Sequence, residues 1–262
     1  MPVRFCVESG VALLTLERPA KRNALDGAMW RELRDRCRDI GDVRVLIVTG
    51  AEGHFCAGMD LSPENPLIAE IAPALMGGQE AVGRGVIEHL KECVQALADV
   101  SVPTIAAIEG ACVGGGFEIA LACDMRIAAE SASFSLPEVR MGMIPDVGGC
   151  ARLTRLVGPG RAADMITTGR KVSGQQAFDL GMVERVVGSG AALAEAQQAA
   201  RDIVGNAPEA VRLALNVVRM APDLGLDESL SLETRAGAMA LVSGEAREGI
   251  AAFLEKRRPD WS

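Results

Sequence analysis

The sequence predicts an α/β fold in which a core of residues 1–190 is followed by a helical region of residues 191–262. In the first part, short apolar segments of strand character alternate with amphipathic helices, which is the pattern of a layered α/β domain. From about Gly158 onward the strand signals nearly vanish and helical periodicity replaces them. The chain has 262 residues, 49% of them apolar, so it is long enough to bury a substantial core.

Four strands are predicted where aliphatic and β-branched residues form short runs bounded by glycine, proline or charge. In chain order they are Val11–Leu16, Val43–Gly50, Pro103–Gly110 and Met125–Ala129. Between the first two strands, residues 27–40 carry apolar side chains at helical spacing among several arginines. This segment is therefore predicted as an amphipathic helix.

The remaining helices are predicted from periodicity and from residues typical of helix ends. Ser173 and Gly181 bracket a short segment as an N-terminal cap and a terminating glycine. Four further helices are predicted at Ala191–Val204, Pro208–Met220, Asp227–Val242 and Glu245–Lys256. Residues 61–82 mix prolines and glycines with no sustained period. This segment is predicted as a partly helical loop beside the substrate, and a plain surface insertion is an equal alternative.

The composition excludes several classes of function. Lys plus Arg number 27 and Asp plus Glu 35, a formal charge of −8, so the surface has no excess of cations for nucleic acid or an anionic membrane. No leader peptide is expected from the first residues, and no apolar run reaches the ~20 residues needed to span a bilayer.

The cysteines and histidines bear on the compartment and on metal binding. Seven scattered cysteines without a CxxC pair indicate a reducing compartment. A cytoplasmic protein is therefore expected. No metal site is predicted, because the only candidate pair of ligands, His54 and Cys56, has no further ligands to complete it.

Two glycine-framed stretches share one design. Residues 54–61 (HFCAGMDL) follow one predicted strand, and residues 110–118 (GACVGGGFE) follow another. Glycines allow a ligand to approach the backbone, and free amides at a helix start carry partial positive charge. Two such amides converging on one point would form an oxyanion hole. Each stretch taken alone is more typical of tight packing of a helix against a strand.

Three acids lie beside this glycine and proline punctuation. Glu118 follows the glycine triplet, Glu138 follows Pro137, and Asp146 follows Pro145. Such residues are often helix N-caps or first-turn acids. Their apolar surroundings would raise a carboxyl pKa, which suits general acid–base catalysis.

The ordered combination resembles the enoyl-CoA hydratase/isomerase (crotonase) family. It consists of F-x-A-G-x-D-L, G-G-G-x-E with Cys123–Asp124 shortly after, F-x-x-P-E-V, and G-x-x-P-x-x-G-G followed by Arg152–Leu153. Residues 253–257 (FLEKR) are similar to the closing segment of that family. The resemblance covers nearly the whole chain. It implies a crotonase-like spiral of ββα units, with a C-terminal helical region that builds a homotrimer or a dimer of trimers.

The resemblance also implies a site for an acyl-CoA thioester. The amides of Met59 and Gly115 would hold the thioester carbonyl, which polarises the acyl chain. Contacts to substrate or coenzyme A would come from Lys21, Arg22, Ala57, Gly58, Asp60, Leu61, Gly114, Phe253 and Lys256. Coenzyme A is then part of the substrate, and no separate cofactor is expected. Surface charge without a ligand remains an alternative for Lys21, Arg22 and Lys256.

The reaction implied is hydration of a 2-enoyl-CoA, with Glu118 orienting or deprotonating water and Glu138 delivering a proton to C2. Asp146 departs from the glycine that typical hydratases have at this position and is similar to the dienoyl-CoA isomerases. An isomerase that uses Asp146 and Glu138 is therefore the main alternative. A non-catalytic acyl-CoA-binding or assembly protein of the same fold is a further one, although the loss of acids that would mark it is not seen.

Overall fold

The computed structural model describes residues 2–261 and contains two β-sheets arranged as layers of a spiral. The larger sheet has six strands in the order β1-β2-β3-β4-β6-β9. These are β1 (Val3–Glu8), β2 (Val11–Leu16), β3 (Val45–Gly50), β4 (Thr104–Ile108), β6 (Met125–Ala129) and β9 (Arg185–Val187). The first two strands form an antiparallel hairpin, and all the other neighbours are parallel.

The smaller sheet collects short extended segments, two of which directly follow the parallel strands β4 and β6. It contains β5 (Ala111–Val113), β7 (Ser133–Ser135) and β8 (Val172–Ser173). Two isolated parallel bridges extend this layer, joining Cys56 to Cys112 and Leu25 to Met59. In the turns that contain β3, β4 and β6, a strand of the large sheet is followed by a short extended segment in the second layer and then by a helix. In the last turn, β8 precedes β9 and pairs antiparallel with β7. This confirms the predicted α/β fold and its repeated ββα units.

Eleven α-helices complete the part of the chain between residues 2 and 261. They are α1 (Gly27–Arg38), α2 (Pro66–Gly77), α3 (Glu80–Ala98), α4 (Gly115–Ala122), α5 (Gly149–Val157), α6 (Pro159–Thr168), α7 (Gly174–Asp179), α8 (Ala192–Val204), α9 (Pro208–Met220), α10 (Leu226–Val242) and α11 (Glu245–Leu254). Over this same stretch, no helix combines the length and the apolar character needed to cross a bilayer.

Most predicted elements are found within a few residues of their predicted ends. Residues 61–82, predicted as a partly helical loop, contain α2 and the start of α3, with Asn65 capping α2 and Gly78 ending it in the left-handed region. The prediction that strands nearly vanish after Gly158 was incomplete, because β8 and β9 lie in that part. These two strands have two and three residues, too few to show a period.

The core lies on both faces of the large sheet. On one face, Val45, Ile47 and Ile105 pack against the alanines Ala196 and Ala200 of α8, whose small side chains permit close approach. A larger cluster on the other face includes α1, α3 and α4. Helix α8 therefore packs on the large sheet as part of the core. The predicted division of the chain between residues 190 and 191 stays a prediction.

The later helices bury little of their surface. Helix α10 has no buried residue, and α9 and α11 have one each. Many of their large apolar side chains are exposed, among them Leu226, Leu241, Val242, Ile250, Phe253 and Leu254. Helix α9 is nevertheless tied to the core through Arg219, which binds both carboxylate oxygens of Asp124 at 2.7 Å and the Val100 carbonyl at 2.7 Å.

We expect Asp124→Ala to lower the free energy of unfolding by about 3 kcal/mol, because it leaves a half-buried guanidinium and the Thr104 donors without their acceptor. Urea denaturation measures this change. Arg155→Ala is the matched control, since the Arg155–Asp223 pair also joins core to C-terminal region but is exposed. It should change stability by less than about 0.5 kcal/mol. Equal losses of stability in the two variants would contradict the stabilising role assigned to the Asp124–Arg219 pair.

Candidate active site

The two glycine-framed stretches run side by side in the second layer. The Cys56 amide donates to the Ala111 carbonyl at 2.8 Å, and the Val113 amide donates to the Cys56 carbonyl at 3.0 Å. A Cβ atom built on Gly58 would lie 2.8 Å from the Val113 oxygen and 3.6 Å from the Gly115 nitrogen. The backbones therefore touch where Gly58 meets Gly115, and only glycine permits this approach.

Both predicted oxyanion amides lie at this junction. The Leu25 backbone clasps the Met59 peptide from both sides, because the Leu25 amide donates to Gly58 and the Leu25 carbonyl accepts from Asp60. Neither Met59 N–H nor Gly115 N–H donates a hydrogen bond to another group between residues 2 and 261. Gly115 is the first residue of α4, so its amide lies at the positive end of the helix dipole. The pair is thus available to an anionic oxygen.

Glu118 is buried in the first turn of α4, with 3% of its surface exposed. Its Oε1 accepts hydrogen bonds from the amides of Val147, at 3.0 Å, and Gly149, at 2.7 Å. Burial, reinforced by the charges of Glu138 and Asp146, raises the pKa of Glu118 to about 8, although the two amides oppose the shift. Oε2 is left for a water molecule or a substrate.

Glu138 lies against the glycine triplet. A Cβ atom built on Gly114 would lie 2.7 Å from Glu138 Oε1, and Gly114 has φ 53° and ψ −127°, a conformation that favours glycine. Glu138 Oε2 is buried and has no hydrogen-bond partner within residues 2–261. Burial raises the pKa of Glu138, and the nearby charge of Asp146 adds to the rise. This oxygen is therefore a free acceptor beside the oxyanion amides.

Asp146 is the most accessible of the three acids. Partial burial of its carboxyl group among protein atoms still raises its pKa above the ordinary value. Because each of the three carboxylates interacts electrostatically with another, the structure brings together all three acids predicted from the sequence. Like-charge repulsion disfavours ionisation of the whole set.

Two site features were not predicted from the sequence. The loop before α5 and the first residue of α5 supply the two amides that hold Glu118, and Cys150 on α5 is partly exposed close to the three acids. Burial and these acids raise the pKa of the Cys150 thiol, so it stays neutral. Neither feature has a motif of its own, since one is backbone and the other is a lone cysteine.

The predicted binding residues near the first stretch fall into two groups. The Ala57 amide donates to the Arg22 carbonyl at 3.0 Å, which places Lys21 and Arg22 next to the junction. Both side chains are exposed and form no salt bridge within the described part of the chain. Leu61 is 48% exposed. These residues are accessible to a ligand.

Asp60 has a different environment from the one expected of a ligand contact. Its carboxylate accepts hydrogen bonds from Ser62 Oγ at 2.6 Å and from Arg18 at 2.8 Å. These bonds lower the pKa of Asp60 to about 2. The side chain is therefore engaged within the chain and organises the loop behind Met59.

Phe253 lies in the last turn of α11 and Lys256 lies two residues beyond that helix. Both are exposed, Phe253 by 82%. The hydrogen bonds and salt bridges within residues 2–261 do not connect either side chain to the acid cluster. Among the same residues, no group of three or more His, Cys, Asp or Glu side chains is placed to hold a metal ion.

Comparisons with known proteins place the chain in a family. Residues 7–262 match the family model for enoyl-CoA hydratase/isomerase. The carnitinyl-CoA dehydratase of Proteus mirabilis is 38% identical, covering 99% of this chain and 97% of that protein. The human enoyl-CoA hydratase domain-containing protein 2, mitochondrial, is 35% identical, covering 96% and 85% respectively. The crystal structure of an enoyl-CoA hydratase from Bacillus anthracis has a TM-score of 0.89 at 35% identity and covers 100% of this chain and 99% of that one. The chain belongs to the enoyl-CoA hydratase/isomerase family.

Proposed function

We propose that this protein is an enoyl-CoA hydratase that adds water across the 2,3 double bond of a 2-enoyl-CoA thioester in acyl-CoA degradation. The observation that carries the proposal is the pair Glu118 and Glu138, both with raised pKa values, beside two backbone amides that have no internal partner. One glutamate can hold a proton while the other accepts one. Addition of water needs both actions at once.

The amides of Met59 and Gly115 supply the electrostatic part of the reaction. Attack of water at C3 places negative charge on the thioester oxygen as an enolate forms. Two fixed N–H donors stabilise this charge without reorganising, and loss of one such donor costs about 3 kcal/mol in comparable sites. The enolate then takes up a proton at C2.

The acids supply the proton transfers. In hydration, Glu118 orients water and removes its proton, and Glu138 delivers a proton to C2. Burial raises the pKa of both glutamates, which favours one proton shared by the pair. With that proton on Glu118, the reverse reaction can begin, because Glu138 then takes the C2 proton and Glu118 protonates the leaving hydroxyl. The site therefore supports hydration and dehydration as one reversible step.

The unpaired cations next to the junction support binding of the coenzyme A portion. Lys21 and Arg22 are exposed beside Ala57 and suit phosphate groups. We further propose a homotrimer or a dimer of trimers, supported by the exposed apolar side chains of α9–α11. Phe253 and Lys256 would then reach the coenzyme A bound to a neighbouring subunit. All seven cysteines are free thiols, which supports a cytoplasmic location.

A second candidate, a dienoyl-CoA isomerase, is favoured by one specific observation. Asp146 has a raised pKa and interacts with Glu138. A proton removed by one of these carboxylates and returned by the other would move a double bond along the acyl chain without adding water. Asp146 therefore distinguishes the two reactions.

We expect Glu118→Gln and Glu138→Gln each to lower kcat for hydration of crotonyl-CoA or a longer enoyl-CoA by at least about 10³-fold. Binding of a non-reacting acyl-CoA should persist. Loss of enoyl-thioester absorbance measures turnover, and exposed Glu130→Gln is the control for charge removal. Wild-type rates in both variants would refute the assigned roles. Binding without turnover on any chain length would favour the non-catalytic alternative.

Asp146→Asn separates hydratase from isomerase. In a hydratase, the variant should keep kcat for hydration within about tenfold of wild type, because neither water nor C2 depends on Asp146. In an isomerase, it should abolish double-bond migration in a 3,5-dienoyl-CoA. The two substrates are compared with the same preparations. Loss of hydration together with loss of migration would show that Asp146 belongs to both reactions.

The pH profile follows from the shared proton. Activity requires one proton on the Glu118–Glu138 pair, so kcat/KM should be bell-shaped, and its alkaline limb should fall near pH 8, where the pKa of Glu118 lies. The Asp146 charge raises this pKa, so Asp146→Asn should move the alkaline limb to lower pH. Glu130→Gln should leave it in place. A profile that still rises above pH 9 would contradict the assignment.

A further inference from the structure

Trp30 is a buried side chain whose role the proposed mechanism does not use. It lies on α1, only 1% of its surface is exposed, and its indole N–H has no hydrogen-bond partner among residues 2–261. An unpaired buried donor destabilises a protein, and an apolar side chain would fill the same space without that cost. The presence of tryptophan therefore calls for another reason.

The ring lies directly against one half of the oxyanion hole. A Cβ atom built on Gly115 would lie 3.2 Å from Trp30 Cζ2 and 3.3 Å from Cη2. The six-membered part of the indole thus packs on the Gly115 Cα. Because Gly115 is the first residue of α4, this contact limits how far the start of that helix can move toward α1.

The other half of the oxyanion hole, the Met59 amide, is held by residues at the start of α1. Leu25, just before α1, clasps the Met59 peptide through hydrogen bonds of 2.7 Å to the Gly58 carbonyl and 2.9 Å from the Asp60 amide. Asp26 then caps α1 by accepting from the Met29 amide at 2.9 Å. Residues 25–30 therefore bind the Met59 side with backbone and support the Gly115 side with the Trp30 ring.

We infer that Trp30 is a positioning residue that sets the separation between the Met59 and Gly115 amides. This inference rests on the proposed function, since it assigns Trp30 to the oxyanion hole of that reaction. The indole acts as a spacer of fixed width, rigid because it is aromatic and buried. A smaller side chain would let α4 settle toward α1, and the two donors would no longer converge at the distance that an enolate oxygen requires.

The first test compares Trp30→Phe with Leu33→Ala, a truncation one turn further along α1 that is buried but outside the Gly115 contact. Trp30→Phe should lower kcat about tenfold with KM within twofold. It should also raise the pKa of bound acetoacetyl-CoA, read from its enolate absorbance, by about one unit. Leu33→Ala should lower the urea midpoint and leave both quantities unchanged.

Rescue supplies the second test. Gly115→Ala should be impaired because its methyl group would meet the Trp30 ring, whereas the Trp30→Leu/Gly115→Ala double variant gives that methyl room. The double variant should recover at least fivefold in kcat and in enolate binding over Gly115→Ala alone. A double variant no better than Gly115→Ala, or a Trp30→Phe variant with normal kcat and normal enolate pKa, would overturn the inference.

The enolate readout keeps the two proposals separate. If the wild type ionises acetoacetyl-CoA but hydrates no enoyl-CoA, the proposed hydratase function fails, while the Trp30 comparison still gives its answer. If hydration is normal and Trp30→Phe changes neither readout, only the role of Trp30 fails. A wild type that binds no CoA thioester overturns both.

Discussion

The site depends on one constraint, the close approach of two backbone segments that follow neighbouring parallel strands. The bridge between Cys56 and Cys112 sets this approach, and the contact of Gly58 with Gly115 completes it. Parallel strands end at the same edge of a sheet, so the segments that follow them meet there. Met59 and Gly115 are partly exposed at the meeting point, and their amides have no hydrogen-bond acceptor among residues 2–261. The spiral fold thus brings together the two backbone amides that we propose as the oxyanion hole.

The glycine triplet illustrates how one short pattern meets three separate demands. Gly114 lies under the Glu138 carboxylate, Gly115 lies against the Trp30 ring, and Gly116 lies 2.6 Å, measured from a Cβ atom built on it, from the Cys56 Cβ and carbonyl oxygen. The first contact places an acid, the second places an amide donor, and the third holds the two loops together. Tight packing and approach of a ligand are therefore compatible explanations of the triplet, because the three glycines make three different contacts.

Much of this was predictable from the sequence, and the failures have physical causes. Most of the C-terminal helices and the four long inner strands were predicted, because their apolar residues form clear runs or repeat at helical spacing. Strand β1 and helix α3 were not predicted, although they have six and nineteen residues. Strands β5, β7, β8 and β9 have only two or three residues, so their extended form comes from tertiary pairing. The acids were predicted because they follow punctuation residues, but their mutual charge repulsion was visible only once the loops met. Asp60 shows the limit most clearly, since no spacing reveals that Arg18 and Ser62 engage its carboxylate.

The burial of Glu118 connects fold and chemistry. Two loop amides that hold its Oε1 favour the charged form, yet desolvation and the neighbouring acids outweigh them and raise its pKa. A carboxyl group held by donors but kept near neutrality is poised to exchange a proton at physiological pH. In the proposed hydration, Glu118 gains the proton of water as Glu138 gives its proton to C2, so the pair keeps one proton and ends in the state from which the reverse reaction starts. The direction of net turnover is then set by the concentrations of the thioesters and not by the protein.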